Sequence, residues 1–421
     1  MRRSMRCVLF SMAAGWWAAS PCRPADLPRF RGEEIDPAVG KVCYAVAISD
    51  VDGDGRPDIV AVANDAVLWY QNPTWTKRDI IRGATEPDNV CLQPCDVDRD
   101  GRVDFALGSA WRPSDTTGGG NLAILTRTAA PEGTWRVVPI GSEPTLHRLR
   151  WGDVLREGTQ PQLVVAPLQG RNTRGPDWGA GAGSRITAWT IPARPFSDPW
   201  VAQTVTADLH TVHNLQIVEA GPLLGKAPAG LGVLAATWEG VFLLHRDGDQ
   251  AWRTTQLGAG DQLSRPNRGA SEAKLGRLRD GSPFVATIEP WHGSQFVVYS
   301  GPKRAGAAEM NRQVVDPTLA WGHAIWCADI DGDGDDEVVV GQRDPNPAQD
   351  PSRRGPGVIL FDPRPGTSPI AFDRTWIDQG GVAVEDLVEA DLNNDGRLDI
   401  VAGGRATHNV KIYWNEPPTR P

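Results

Sequence analysis

Apolar residues occur in short runs along this chain, and glycine, proline, asparagine or aspartate bounds most of the runs. Runs such as DIVAVA from Asp58 and VKIYW from Val410 have the length and the β-branched content of strands. No long stretch carries the apolar spacing of an amphipathic helix, and 46 glycines and 35 prolines favour many turns. The pattern therefore predicts an all-β fold of short strands.

Four segments repeat one unit, in which an acidic turn separates two apolar strands and a third strand follows. They are DVDGDGRPDIVAVAN from Asp50, DVDRDGRVDFALGS from Asp96, DIDGDGDDEVVVGQR from Asp329 and DLNNDGRLDIVAGGR from Asp391. Three degenerate copies lie between the second and third of these: LHRLRWGDV with PQLVVAPL, VHNLQIVEA with LGVLAATW, and SEAKLGRL with PFVATIEPW. A strand rich in Trp and Arg ends most units. Seven units predict a seven-bladed β-propeller.

The two ends of the repeat array complement each other. The last unit ends at WNEPPTRP without its outer strand, whereas FRGEEID from Phe30 precedes the first unit as an orphan strand. Pairing the two closes the ring and leaves no long unpaired sheet edge. We therefore expect a propeller over residues 27–416 that is closed by its N-terminal outer strand, with a short tail over 417–421.

The acidic turns have the composition of a cation site. Carboxylate or amide groups occupy loop positions one, three, five and nine of the four clear copies: Asp50, Asp52, Asp54, Asp58; Asp96, Asp98, Asp100, Asp104; Asp329, Asp331, Asp333, Glu337; Asp391, Asn393, Asp395, Asp399. Like charges that converge within a few ångström repel one another unless a hard ion with six to eight oxygen ligands binds them. The turns therefore predict up to four structural Ca²⁺ ions.

Acidic turns of this kind also occur in EF-hands and in hairpins that bind no metal. An EF-hand requires a bidentate Glu at position twelve, but that position holds Ala61, Leu107, Val340 and Ala402. The spacing thus excludes EF-hands, whereas acidic hairpin turns without metal remain the alternative.

Charge and the N-terminal segment limit the function classes. A net charge of -9 with no basic run after the leader argues against nucleic-acid binding. Residues 1–26 combine a basic start with an apolar run too short to span a bilayer comfortably, which predicts a leader for export to the periplasm or the extracellular space. The leader is either cleaved or retained as an anchor, and no other segment predicts a membrane span. Cys43, Cys91, Cys95 and Cys327 are too few for a disulfide-built fold and complete no zinc set.

The innermost strands predict a second site at the opposite rim. The position six residues before each acidic turn marks the mouth of the channel, and the seven blades place there Tyr44, Val90, His147, His213, Ala270, His323 and Glu385. Histidine and carboxylate groups transfer protons or bind metals. His147, His213, His323, Glu385 and the loop residue His292 are thus the catalytic candidates, with a second divalent metal as a further expectation. A single histidine in a channel is more often a structural residue. Histidines from several blades that converge on one channel are less easily explained as structural residues.

The loops between second and third strands open on the same rim, because the turns of an antiparallel blade alternate between its ends. Their polar residues are candidate ligands for a small sugar or a glycan, since tryptophan faces stack on sugar rings and arginine forks hold hydroxyls and carboxylates. These candidates are Arg171, Trp238, Glu239, Glu289, Trp291, Arg343, Arg405 and His408.

The repeats resemble FG-GAP or VCBS repeats, the calcium-loop blades of integrin α-subunit heads and of many secreted bacterial proteins. The resemblance covers residues 27–416. It implies that the loop between the first two strands of a blade binds calcium and that the opposite rim binds the ligand. The degenerate copies depart from this pattern: Asp153, Leu155 and Glu157 keep half of it, and the loops after Glu219 and Gly276 lack it.

A narrower resemblance links the segments TLHRLRWGD, VVAPLQGR, VHNLQIV, IEPWHG and WGHAIWCADIDGDG to the propeller domain of the aldos-2-ulose dehydratase family. It implies a carbon–oxygen lyase that removes a proton next to a ketone and expels a β-hydroxyl from 1,5-anhydrofructose or an aldosulose. His213 or His147 would then be the base, with Arg171, His323 or a bound metal stabilising the enolate. The alternatives are a noncatalytic propeller that binds glycans or proteins, as in integrin-like adhesion, and a polysaccharide lyase.

Overall fold

The computed structural model describes residues 28–128, 133–156, 158, 160–225, 230–246, 251–343 and 355–417. Within these residues the chain forms seven four-stranded antiparallel sheets, and a single short helix. The all-β, seven-bladed propeller is therefore confirmed. Residues 1–26, which the sequence predicts to be a leader, lie outside the described residues, as does the chain from residue 418 onward.

The strands follow one another in chain order around the ring. Blade 1 contains β2 (Cys43–Ser49), β3 (Asp58–Ala63), β4 (Ala66–Gln71) and β5 (Thr76–Arg82). Blade 2 contains β6 (Cys91–Cys95), β7 (Asp104–Ser109), β8 (Asn121–Arg127) and β9 (Trp135–Ser142). Blade 3 contains β10 (Leu146–Gly152), β11 (Gln162–Pro167), β12 (Ile186–Thr190) and β13 (Val201–Thr206). Blade 4 contains β14 (Asn214–Glu219), β15 (Leu231–Thr237), β16 (Gly240–Arg246) and β17 (Trp252–Gly258), with helix α1 (Ala220–Leu224) between β14 and β15.

The last three blades include the one that closes the ring. Blade 5 contains β18 (Glu272–Arg277), β19 (Pro283–Glu289), β20 (Gln295–Pro302) and β21 (Met310–Asp316). Blade 6 contains β22 (Gly322–Ala328), β23 (Glu337–Gln342), β24 (Gly357–Pro363) and β25 (Phe372–Gln379). Blade 7 contains β26 (Val384–Ala390), β27 (Asp399–Gly404), β28 (Val410–Glu416) and the N-terminal strand β1 (Arg29–Asp36).

Strand β1 supplies the outer edge of blade 7, as the sequence predicted. It pairs antiparallel with β28 from Arg29 opposite Glu416 to Asp36 opposite Val410. At the end of β1, the buried Asp36 carboxylate accepts a hydrogen bond from the Tyr70 hydroxyl at 2.5 Å and lies 2.7 Å from Lys77 Nζ. Tyr70 and Lys77 belong to blade 1, so this contact joins the closing strand to the neighbouring blade.

The apolar core is divided among the blade interfaces. Each of seven buried clusters contains side chains from at least two adjacent blades, and the cluster between blades 7 and 1 completes the circle. Alternation along each strand places successive side chains in the two neighbouring interfaces. Close packing leaves little room: a Cβ added at Gly258 would lie 2.0 Å from the Tyr299 ring.

Two smaller predictions can be compared with the structure. The thiols of Cys43, Cys91, Cys95 and Cys327 are free, so no disulfide joins them. Among the described residues, no helix has the length and the apolar character needed to cross a bilayer.

Candidate functional site

The acidic turns share one backbone scaffold at one end of the ring. The position-nine side chain accepts a hydrogen bond from the backbone N–H of position two, as in Asp58 with Val51 at 2.9 Å and Glu337 with Ile330 at 2.7 Å. The position-one carboxylate accepts several backbone N–H bonds, and Asp50 is bonded by Gly53, Asp54 and Gly55. Gly55 has a φ of 85°, a conformation that favours glycine.

Three of the four clear turns bring carboxylates close enough to share one ion. The ligand atoms lie within 4.8 Å of one another in three clusters: Asp50, Asp52, Asp58; Asp96, Asp98, Asp104; Asp329, Asp331, Asp333. In the third turn, Asp331 Oδ2 and Glu337 Oε1 are buried without a hydrogen-bond partner. Burial, with repulsion from Asp331, raises the pKa of Glu337 to about 9. Buried oxygens without donors are what a hard cation would satisfy, so these residues fit Ca²⁺.

Each of the position-five carboxylates has an arginine partner in addition to its contacts within the turn. Asp54 lies 3.9 Å from Arg56, while Asp100 pairs with Arg102 and Asp395 with Arg397. Asp333 pairs with Arg279, which comes from the preceding blade. In the fourth turn Asp391 Oδ1 and Asn393 Oδ1 each accept from the Asp395 N–H, and Asp399 Oδ2 accepts from the Leu392 N–H.

The degenerate turns differ in the way that the sequence indicated. Gln162 replaces the position-nine carboxylate of blade 3 and accepts the Leu155 N–H at 2.9 Å, so the scaffold persists without the charge. Asp153 accepts the Gly158 N–H, and Glu157 lies outside the described residues. Helix α1 occupies the corresponding place in blade 4.

A cavity of about 260 Å³ lies at the opposite mouth of the channel. It brings together His147, His213, His292, His323 and Glu385, all five of the catalytic candidates. The innermost strands and the loop after β19 supply these side chains from blades 3, 4, 5, 6 and 7. Of the predicted sugar-binding residues, Trp291, Arg343 and Arg405 also line this cavity.

Three of the histidines have the geometry of a metal centre. One ring nitrogen from each of His213, His292 and His323 lies within 4.8 Å of the other two, and the two Nε2 atoms of His213 and His292 are 2.9 Å apart. His213 Nδ1 lies 2.9 Å from the Ser271 carbonyl oxygen, and His323 Nδ1 lies 2.6 Å from the Glu385 carbonyl oxygen. Because a carbonyl only accepts, both Nδ1 atoms carry the proton, which leaves the Nε2 lone pairs for the cluster.

The electrostatics keep these rings neutral. Burial, followed by repulsion from neighbouring imidazoles and arginines, lowers the pKa of His292 and His323 well below the ordinary value. Burial also lowers the pKa of His213, although the Glu272 carboxylate 3.2 Å from its Nδ1 opposes that effect. Neutral imidazole is the form that coordinates metals, so three neutral histidines with converging ring nitrogens fit a divalent ion of the zinc type.

His147 lies beside this cluster but is not one of its three members. Its ring stacks on Trp111 at a centroid distance of 4.7 Å and lies 4.8 Å from the His213 ring. Both of its ring nitrogens are buried without a hydrogen-bond partner. A neutral imidazole with no protein partner is available to a bound molecule.

Glu385 is fixed by two arginines at the wall of the cavity. Arg405 Nη1 lies 2.9 Å from Oε1, and Arg343 Nη1 lies 3.6 Å from Oε2. Burial raises the pKa of Glu385 despite the opposing attraction of both guanidinium groups. The arginines also lie over aromatic rings, Arg405 over Tyr44 and Arg343 over Trp321.

Five predicted sugar-binding residues lie outside the cavity, and the side chains of four of them contact another side chain. Arg171 pairs with the buried Glu143, and Arg268 covers the Trp238 ring. Glu239 binds His210 Nδ1 at 2.7 Å, and the fully buried Glu289 is held by Arg312 and Tyr299. The His408 carbonyl accepts the Val39 N–H beside the closing strand. The structure does not bring these five residues to the lining of the histidine cavity.

Sequence reasoning missed two tryptophans of the cavity wall. Trp111 follows β7 directly, and Trp178 belongs to the long loop between β11 and β12. Both loops connect the second and third strands of a blade, so the rule that selected the other rim residues also applies to them. Gln169, which is buried, completes this side of the wall.

Comparisons with known proteins agree with the propeller fold. A family model described as the aldos-2-ulose dehydratase β-propeller domain matches residues 119–302, and one for FG-GAP-like repeats matches residues 50–107. Aldos-2-ulose dehydratase of Phanerodontia chrysosporium is 28% identical over 383 residues, which is 86% of this chain. The chain is a seven-bladed propeller that is similar in sequence to aldos-2-ulose dehydratase. It spans only 40% of the length of that relative.

The dehydratase propeller match bears directly on the histidine cavity. His147, His213 and His292 lie within residues 119–302, whereas His323 and Glu385 come from later blades. The resemblance to the dehydratase propeller stated from sequence segments is therefore confirmed, and the cavity joins residues from inside and outside the matched region.

Proposed function

We propose that the histidine cavity is the active site of a dehydratase that acts on a small ketosugar such as 1,5-anhydrofructose or an aldosulose. The observation that carries this proposal is the convergence of one ring nitrogen from each of three histidines next to a fourth histidine whose ring nitrogens have no hydrogen-bond partner. Similarity to the propeller domain of a dehydratase supports the same reaction class. The cavity volume of about 260 Å³ lies just below the ordinary range for drug-sized ligands, so it suits a single sugar ring.

His213, His292 and His323 would hold a divalent metal ion. When bound, such an ion supplies Lewis-acid polarisation of a carbonyl oxygen. The Ser271 and Glu385 carbonyls fix the orientation of two of the three rings, so the ligand atoms are positioned before substrate arrives.

His147 is our choice for the base, in preference to His213. The Nδ1 of His213 is already bonded to Ser271, and its Nε2 faces the cluster, whereas neither nitrogen of His147 has a partner. In the proposed elimination, His147 takes the proton next to the ketone, the C–H electrons form the new C=C bond, and the β-hydroxyl departs. Return of that proton to the departing hydroxyl releases water and restores neutral His147.

The walls of the cavity would orient the sugar. Trp111, Trp178 and Trp291 present aromatic surface on which a sugar ring stacks. Arg405 and Arg343 flank Glu385, so this ionic group offers both donors and acceptors to sugar hydroxyls. Arg171, which pairs with Glu143 outside the cavity, has no part in this mechanism.

We also propose that the acidic turns bind Ca²⁺ as structural ions and that the protein is exported. The unpaired oxygens of Asp331 and Glu337 support the first proposal. The basic and apolar character of residues 1–26 supports the second.

The test uses the full-length protein loaded with Zn²⁺ and supplied with 1,5-anhydrofructose or an aldosulose. We expect a conjugated-enone absorbance that chelation abolishes and that falls by about 10²-fold or more in His147→Ala, as expected for loss of a general base. His147→Ala should still bind zinc, whereas His213→Ala should lose it. His210→Ala is the matched control, because His210 lies outside the cavity and should keep full activity. Full activity of His147→Ala would refute the role of the base, and sugar binding without product would favour a noncatalytic module.

A further inference from the structure

The central channel contains a second cavity, of about 370 Å³, on the side that faces the acidic turns. We call this half of the channel the lower half and this cavity the lower chamber. All seven innermost strands line it, and it lies between the histidine cavity and the acidic turns, along strands that run from one to the other. The two cavities share no lining residue. The function proposed above makes no use of this lower chamber.

The chamber is lined by three cationic side chains. Arg148, Arg150 and Lys274 face it, and Asp386 is the carboxylate among the lining residues. Arg148 is 6% exposed and Lys274 is 2% exposed, so the charges are buried in the ring and not on its surface. Burial lowers the pKa of Lys274 to about 8, partly offset by Glu272.

The nearby carboxylates do not fully neutralise these cations. Glu272 is engaged by His213 at 3.2 Å and by Asn214 at 2.6 Å, and it lies 3.8 Å from Lys274. Asp386 accepts the Val46 N–H at 3.1 Å. Among the described residues, neither arginine has a carboxylate within 4.0 Å. The three cations outnumber these two carboxylates.

The arginines use only part of their donor capacity. Arg148 Nη1 donates to the His147 carbonyl, and Arg150 donates to the Leu149 carbonyl and to Asn214. A guanidinium group has five N–H donors in a planar fork that matches carboxylate or phosphate oxygens. Because a buried charge without a counter-charge is costly, this chamber is prepared for an anion.

We infer that the lower chamber is a binding site for a small oxyanion, a carboxylate or a phosphate, held by Arg148, Arg150 and Lys274. Trp151 and Trp326 give the chamber apolar walls, so an organic acid with a short carbon skeleton can fill it as well as an inorganic ion. Glu272 contacts both Lys274 and the ring of His213, so an anion here would also act on the orientation of a cavity histidine.

The experiment measures binding to the full-length protein by calorimetry, with inorganic phosphate in one arm and pyruvate in the other. Chloride at matched ionic strength is the control. We expect saturable binding of about one anion per chain, and the arm that binds more tightly identifies the oxyanion. Arg150→Gln and Lys274→Met should each weaken it by about tenfold or more, the loss expected for a charge-assisted hydrogen bond.

Two further variants separate the site from general effects. Arg194→Gln removes an arginine whose side chain is 77% exposed, and it should leave anion binding unchanged. Ala47→Leu adds apolar volume at the chamber wall without changing any charge, and it should abolish binding while zinc binding at the histidines persists. Equal affinity in Arg150→Gln and the native protein would overturn the inference, as would the absence of saturable binding in both arms. Sugar turnover does not enter the measurement, so this outcome is independent of the proposed dehydratase activity.

Discussion

The contact between Asp36 and Tyr70 should determine how firmly the ring is closed. Asp36 is the last residue of β1 and receives hydrogen bonds from the Tyr70 hydroxyl, Lys77 and the Ala38 N–H. Asp36→Ala removes these charge-assisted bonds and leaves the fully buried Tyr70 hydroxyl without a partner. We expect a loss of about 3–5 kcal/mol in the free energy of unfolding, against about 1–2 kcal/mol for Tyr70→Phe.

A double-mutant cycle measured by urea unfolding tests this reasoning. Asp36→Ala with Tyr70→Phe should cost about 1–2 kcal/mol less than the sum of the single changes, because the orphaned hydroxyl is then absent. Asp79→Ala is the matched control, since its pair with Arg82 is exposed and worth at most about 1 kcal/mol. An additive cycle, or equal losses in Asp36→Ala and Asp79→Ala, would refute the closing role.

The same contact predicts a pH dependence. Burial alone would raise the pKa of Asp36, but hydrogen bonds from Lys77, Tyr70 and Ala38 outweigh it and lower the pKa below 3.8. The unfolded chain therefore binds this proton more readily. The stabilisation is fully present above the unfolded pKa and is lost as pH falls through the folded pKa. Asp36→Ala should show a shallower loss of stability in acid than the native protein.

Three other predictions concern the charged groups inside the ring. Chelation of Ca²⁺ should lower the melting temperature, and the effect should be smaller in Glu337→Gln, as scanning calorimetry with and without EDTA would show; identical melts would defeat the calcium proposal. The pKa of Lys274 is about 8 in the folded protein, below the ordinary 10.5, so the burial of its charge opposes folding. The free energy of unfolding should therefore rise between pH 8 and pH 10.5, and Lys274→Met should remove that rise. Glu289→Ala should cost about 3–5 kcal/mol in urea unfolding, because Arg312 would be left without its buried partner; lost sugar affinity with unchanged stability would instead support the ligand role first assigned to Glu289.

Much of the architecture was predictable because the sequence of each repeat shows where its innermost strand ends. Each acidic turn marks the end of an innermost strand. Counting six residues back from the turn therefore gives the residue at the opposite mouth of the channel. This geometry brought His147, His213, His323 and Glu385 to one cavity, although they are far apart in sequence. The closing strand was also predictable, because the last unit has no outer strand of its own and the strand FRGEEID precedes the first unit without a place in it.

The roles of individual polar residues were harder to predict, because their partners come from distant segments. Glu289 has the residue type of a rim ligand, but Arg312 of the outermost strand of the same blade forms an ion pair with it. Trp238 is covered by Arg268. The inward direction of Arg148 and Lys274 also escaped prediction, because an alternating strand pattern does not show which face borders the channel. Charge pairing across strands is a property of the fold and not of local spacing.

Because β1 pairs with β28, the ring can close only after β28 has been synthesised. Arg29 is made first but must wait for Glu416, its partner 387 positions later, and at ~5–20 residues per second that delay is roughly 20–80 s. During this interval the other six blades can assemble while the nascent β1 has no edge to join. Its sequence RFRGEEID carries five charged side chains, and half of its residues are exposed even when it is paired. Charged side chains disfavour pairing with the sheets of other molecules, which suits a strand that stays unpaired until β28 has been synthesised.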